Sequence, residues 1–188
     1  MQRLPPIPEA EMTEAQRRVH DQIASGPRGG VRGPFPAWLR SPELAARAQA
    51  LGEFLRFGTS LPPHLNELAI IVTARAWTAQ YEWYAHARLA REGGLPEVVI
   101  EAVANRQPPP ATGDAAMDRD IAIVHAFCTE LHRDHDVSDA TWTAAVERFG
   151  EHGAVELIGL SGYYVLVAMT LNATRVPLPE GEPLPLKD

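Results

Sequence analysis

Leu61-Pro62-Pro63-His64-Leu65-Asn66-Glu67-Leu68-Ala69-Ile70-Ile71-Val72-Thr73-Ala74-Arg75-Ala76 is the stretch that decides the fold. Two prolines can open a helix but not sit inside one. Beyond them Leu65, Leu68, Ala69, Val72 and Ala76 recur at helical spacing, which predicts a helix with a wide apolar face. The same punctuation continues on both sides. Downstream, a helix over 81–92 stops at Gly93-Gly94, a short one follows over 96–105, and Pro108-Pro109-Pro110 with Gly113 marks a surface loop over 107–114. A helix from Asp118 to about Asp134 carries Ile121, Val124, Cys128 and Leu131 on one stripe. Ser138 caps a helix through Phe149, Gly150 stops it, and a long buried helix is expected over 151–174. Upstream, Ser41-Pro42-Glu43 starts a helix to about Phe57 that should bury Leu44, Ala48, Leu51 and Leu55. Gly26 to Pro36 is too rich in breakers to be regular, and Thr13 caps a first helix over 14–25. No run alternates polar and apolar residues between turns, so the fold class is all-α. This organises the chain into an N-terminal helical arm and loop (1–40), a compact helical domain (41–176) and a Pro-rich tail (177–188).

Bulk properties limit the partners. The formal net charge of -7 argues against non-specific binding to nucleic acid or anionic membranes. One cysteine, Cys128, excludes an intramolecular disulfide. The first residues lack the apolar core of a signal peptide. The most apolar stretch, 155–171, is interrupted by Gly159, Ser161 and Gly162 and falls short of the roughly 20 residues of a membrane span. A cytoplasmic protein with a small-molecule substrate is expected. Segments 64–77 and 155–171 are apolar over more than one stripe, which predicts burial on several sides and a homo-oligomer.

Glu82 and His86 are the sharpest chemical feature. Four residues apart, they share a helix face, and both types serve as general acid or base once burial shifts their pKa. Tyr81, Trp83 and Tyr84 around them are expected to supply low-polarity walls. An ordinary surface Glu–His pair has the same spacing. Glu67 is either a partner to this pair or a carboxylate complementing the dipole of its own helix. On one straight helix it would lie about 22 Å from Glu82, so either the chain turns between Trp77 and Gln80 or a second subunit contributes. His132-Arg133-Asp134-His135-Asp136 has metal-like composition, but such strings arise by chance and no metal is expected. Tyr163, Tyr164 and Asn172 lie on the most buried helix, where their polar ends need partners.

Glu67-Leu68-Ala69-Ile70, Ala74-Arg75, Tyr81-Glu82-Trp83 and His86 resemble the signature region of carboxymuconolactone decarboxylase-like and alkylhydroperoxidase-D-like proteins. Gly33-Pro34-Phe35, Leu55-Arg56-Phe57, 138–142, Gly162-Tyr163-Tyr164 and Leu171-Asn172 extend the likeness over most of 31–176. The resemblance implies a compact helical domain assembled as a homotrimer or homohexamer. In redox relatives a Cys-x-x-Cys pair stands where this chain has Ala79 and Glu82. Disulfide-cycling peroxide reduction needs both thiols, so the resemblance points to the decarboxylase branch, which also carries Glu and then His four residues later. It implies a cofactor-free lyase on a small unsaturated or lactone carboxylic acid, with Glu67, Glu82 and His86 catalytic. Arg75 is the first choice for the cationic grip on a di-acid, Arg56 and Arg32 the next, and Tyr81, Trp83, Tyr84 and Tyr164 are expected around the substrate. The alternatives are a non-redox small-molecule-binding protein without turnover and a divergent peroxidase-like protein.

Overall fold

The computed structural model describes residues 1–187; Asp188, the last residue of the expected tail, lies outside them. The described residues form helices and connecting loops only. The helices are α1 (Glu14–Ser25), α2 (Phe35–Trp38), α3 (Pro42–Phe57), α4 (Pro63–Ala76), α5 (Gln80–Glu92), α6 (Glu97–Ala104), α7 (Ala115–Arg133) and α8 (Asp139–Thr174). Their starts follow from local chemistry. Thr13 opens α1 with a capping box, its side chain accepting from the Gln16 N–H while Gln16 reaches back to the Thr13 N–H. Pro42 and Pro63 occupy first turns, where a missing N–H is harmless. Asp114 and Ser138 cap α7 and α8. Gly150, at φ 72° and ψ 169°, breaks α8 into two helical runs at the predicted stop.

α4 is the axis of the molecule. It packs against α5, α6, α7 and α8, and every residue from Leu65 to Arg75 is buried. The apolarity of 64–77 on several sides is therefore satisfied within one chain. The core continues through α7 and α8, and Val19, Ile23, Phe35 and Trp38 of the arm join the same cluster. By length and composition α8 would reach across a membrane, but 56% of its most apolar window is buried against the rest of the protein. The stripe it leaves outside, Val155, Ile158, Leu166 and Met169, is apolar and exposed.

Two expectations about elements need correction. The breaker-rich segment contains a short helix, α2, because Pro34-Phe35-Pro36 sets helical φ values where the segment meets the core. α3 buries Ala45, Ala48, Gly52 and Leu55, leaving Leu44 and Leu51 exposed. Small residues on the inner face bring α3 close to α2 and α8, and that packing overrides the larger side chains. The tail has no regular structure but is not loose: Leu186 is buried, its N–H donates to Gln80 Oε1 and its carbonyl accepts from Gln80 Nε2.

Candidate active site

The site depends on a sharp turn between α4 and α5. α4 closes at Trp77, Thr78 takes a left-handed φ of 45°, and the Ala79 N–H donates to the Ala74 carbonyl. Asn172 of α8 pins this corner by donating from Nδ2 to the Trp77 carbonyl at 3.0 Å. The chain thus doubles back within one subunit and lays α5 alongside α4. Glu67, early in α4, comes within reach of His86 in the middle of α5. His86 Nδ1 donates to Glu67 Oε2 at 2.7 Å, with both residues buried. The carboxylate fixes the proton on Nδ1 and orients the ring, leaving Nε2 for other chemistry. The His86 ring also meets Tyr164 edge to face, centroids 4.9 Å apart.

Glu82 lies on the same buried face one turn earlier, but its partner is not His86. Both carboxyl oxygens are buried and without a hydrogen bond. Burial pushes the Glu82 pKa well above the ordinary carboxylate range, because an ionised carboxylate there would have neither water nor a donor. The group is held as a neutral acid.

Glu82 and His86 open onto a cavity of about 300 Å³. Its walls come from α5, α8, the end of α3 and the loop between α1 and α2. Phe35, Tyr81, Tyr163 and Tyr164 provide aromatic surface. Burial raises the Tyr163 hydroxyl to about 12 and the Tyr164 hydroxyl well above its usual value, so both remain protonated donors. The cationic wall consists of Arg28, Arg32, Arg56 and Arg88.

Glu67, Glu82, His86, Tyr81 and Tyr164 are thus brought together, Glu67 as the residue behind His86 rather than a wall of the cavity. Three expected site residues fall elsewhere. Arg75 leaves α4 on the side away from this cavity; its Nε donates to the Ala104 carbonyl and its Nη2 to the Lys187 carbonyl, both at 2.8 Å. Trp83 is 4% exposed in the core and does not line the cavity. Tyr84 lies on the outer face of α5. Adjacent helical residues point about 100° apart, so neighbours of Glu82 in sequence are not its neighbours in space. Arg28 and Tyr163 carry the largest addition to the expected set. Tyr163 had a signal, as a polar end on the most buried helix; Arg28, in an irregular loop, had none.

Residues 42–123, from the start of α3 into α7, match the carboxymuconolactone decarboxylase family. Over that stretch the chain is similar to the carboxymuconolactone decarboxylase family. No curated protein matches it. In this carboxymuconolactone decarboxylase-like fold, the positions implied for the thiols of redox relatives are the buried Ala79 and the neutral acid Glu82. Cys128 is distant from that chemistry. It is fully buried on α7 with its thiol pushed up to about 12, and it accepts from Ser161 Oγ at 3.6 Å. A thiol so protonated is a poor nucleophile. Among the described residues no group of three or more His, Cys, Asp or Glu is arranged to hold a metal ion. His132 instead turns inward, with Nε2 2.9 Å from Thr73 Oγ1.

Proposed function

We propose that this protein is a cofactor-free lyase that decarboxylates a small unsaturated or lactone carboxylic acid. The observation that carries the reading is the neutral Glu82 carboxyl, which faces the cavity beside a histidine already oriented by Glu67. A decarboxylase of a conjugated acid needs three things: a place for the departing carboxylate away from stabilising cations, an electron sink and a proton donor. The sink is the substrate's own conjugated carbonyl. The apolar side of the cavity, with Val167 and Leu171, suits the departing group. The C–C bond to that carboxylate breaks, CO₂ leaves, and the electron pair passes into the conjugated carbonyl. Glu82 then gives its proton to the carbon and is re-protonated from water. His86 Nε2, backed by Glu67, is placed to polarise the carbonyl or relay that proton.

The test is CO₂ release from a panel of unsaturated lactone acids. Glu82→Gln keeps the shape and loses only the titrating proton, so it should reduce turnover by about a hundredfold or more while folding is retained. His86→Asn should be similarly damaging, and Cys128→Ser nearly silent. A protein in which Cys128 is essential and Glu82→Gln is tolerated is not this lyase. Binding of such acids with no turnover by the wild type would favour a binding protein instead.

A further inference from the structure

A second cavity, of about 550 Å³, opens on the Arg75 side of α4 and shares no wall residue with the cavity that holds Glu82. Its walls come from the last turns of α4, the end of α6 with the Pro-rich loop after it, and α7. Val72, Val103 and Pro108 give it an apolar part. The α7 wall is polar. His125, Thr129 and His132, spaced four and three residues apart, share one face of that helix, while Ile121, Val124 and Cys128 on another are buried in the core. Thr73 Oγ1 gives its own proton to the Ala69 carbonyl, so it accepts from His132 Nε2–H at 2.9 Å, which fixes that ring against α4. No described residue hydrogen-bonds to the His125 ring or the Thr129 hydroxyl.

An ordinary solvated helix face does not account for this wall. Burial lowers the pKa of both histidines, and the nearby His135 adds to the effect at His132. At neutral pH the two rings are therefore uncharged and partly withdrawn from water, a position in which polar groups usually find partners. The charge on the walls is positive. Arg106 reaches the cavity from the loop after α6, and its guanidinium bonds only to Thr78 Oγ1, at 3.3 Å, with no carboxylate partner among the described residues. Arg133 is engaged by Asp134, and Arg75 by the Ala104 and Lys187 carbonyls. No Asp or Glu among the described residues lines the cavity, in a chain where acids outnumber Lys and Arg by 24 to 17. Positive charge and apolar surface, with no carboxylate between them, favour an anion that carries an apolar body.

We infer that this cavity is a second binding site, separate from the Glu82 cavity, for a small organic anion. The anionic group meets the Arg106 guanidinium, the apolar body lies on Val72, Val103 and Pro108, and His125 and Thr129 supply hydrogen bonds from α7. The site does not depend on the lyase reading, because no residue that the reading uses lines it.

The test is calorimetric binding of 2-naphthalenesulfonate, with 2-naphthalenesulfonamide as its uncharged counterpart and inorganic sulfate as the charge without the body. The sulfonate should bind the wild type, and the other two at least about tenfold more weakly. Arg106→Gln should weaken the sulfonate by about tenfold or more. Thr129→Phe fills the cavity from α7 and should abolish binding, with urea midpoints showing whether each variant folds; if Thr129→Phe does not, Arg106→Gln decides alone. Arg88→Gln removes a cation from the wall of the Glu82 cavity and should leave the sulfonate affinity unchanged. The site is overturned if the wild type does not bind the sulfonate, if Arg106→Gln or folded Thr129→Phe binds it as the wild type does, or if the loss follows Arg88→Gln instead. Sulfonamide or sulfate binding as tightly as the sulfonate would equally remove it, since the site would then not read charge and body together.

Discussion

Glu82 makes the stability of this protein depend on pH in a direction opposite to most carboxylates. Burial raises its pKa above the ordinary 4.5, so between that value and the raised one the folded protein holds a proton that the unfolded chain has released. Stability must then fall as pH rises through this window, by about 1.4 kcal/mol per pH unit for one proton, and be unaffected by Glu82 below it. Arg28, Arg56, His86 and Tyr163 share the cavity and remain in both proteins when wild type is compared with Glu82→Gln. The difference isolates one group. Urea unfolding across mildly acidic to neutral pH should show Glu82→Gln gaining on the wild type as pH increases. Parallel profiles would mean that Glu82 is ionised in the fold, and the neutral-acid role would be lost.

At the scale of elements, α3 is where packing and propensity pull apart. In an open helix Gly52→Ala should stabilise by up to about 1 kcal/mol. Against Tyr163 and Arg28 it should instead destabilise by about 1–3 kcal/mol, because the added methyl has no room. The sign of the change in urea midpoint decides between them, and a gain in stability would mean α3 is not seated as described. The same helix shows where sequence runs out. Thr13, Pro42, Pro63, Ser138 and Gly150 act on their own neighbourhoods, so helix boundaries were legible from residue type alone. Which face of α3 turns inward is set by its neighbours, and Leu44 and Leu51 lost to Ala45, Ala48 and Gly52. In the site, Glu82 and His86 could be paired by spacing and Glu67 through the resemblance. Arg75 was misplaced because nearness in sequence says nothing about the side of a helix, and Arg28 was invisible because no periodicity ties its loop to α5.

Across the whole molecule the unsatisfied feature is an apolar outer surface. Leu51 and Phe57 of α3 are about half exposed, and Val155 of α8 is 60% exposed. Leu44 and Met169 line one groove where the two helices meet. Contiguous exposure of this kind marks an interaction surface, and a net charge of -7 opposes an anionic membrane as its cover. We propose that further copies of the chain cover it, in a homotrimer or homohexamer. Sedimentation at micromolar concentration should give a multiple of 20.6 kDa, and Ile158→Glu with Leu166→Glu should reduce it to one. A wild-type monomer would remove the proposal.

The corner that seats Glu82 and His86 has a consequence for how the protein is made. Its local bonds form as soon as residues 74–79 can fold, but its fastenings come much later in the chain. Asn172 reaches back 95 residues to Trp77, and Leu186 reaches back 106 to Gln80. On the ribosome, α4 and α5 emerge with their apolar and acidic residues long before those anchors exist. Glu82 and His86 are therefore among the last parts to be fixed, and a nascent chain stalled within α8 would hold most of its helices but no finished site.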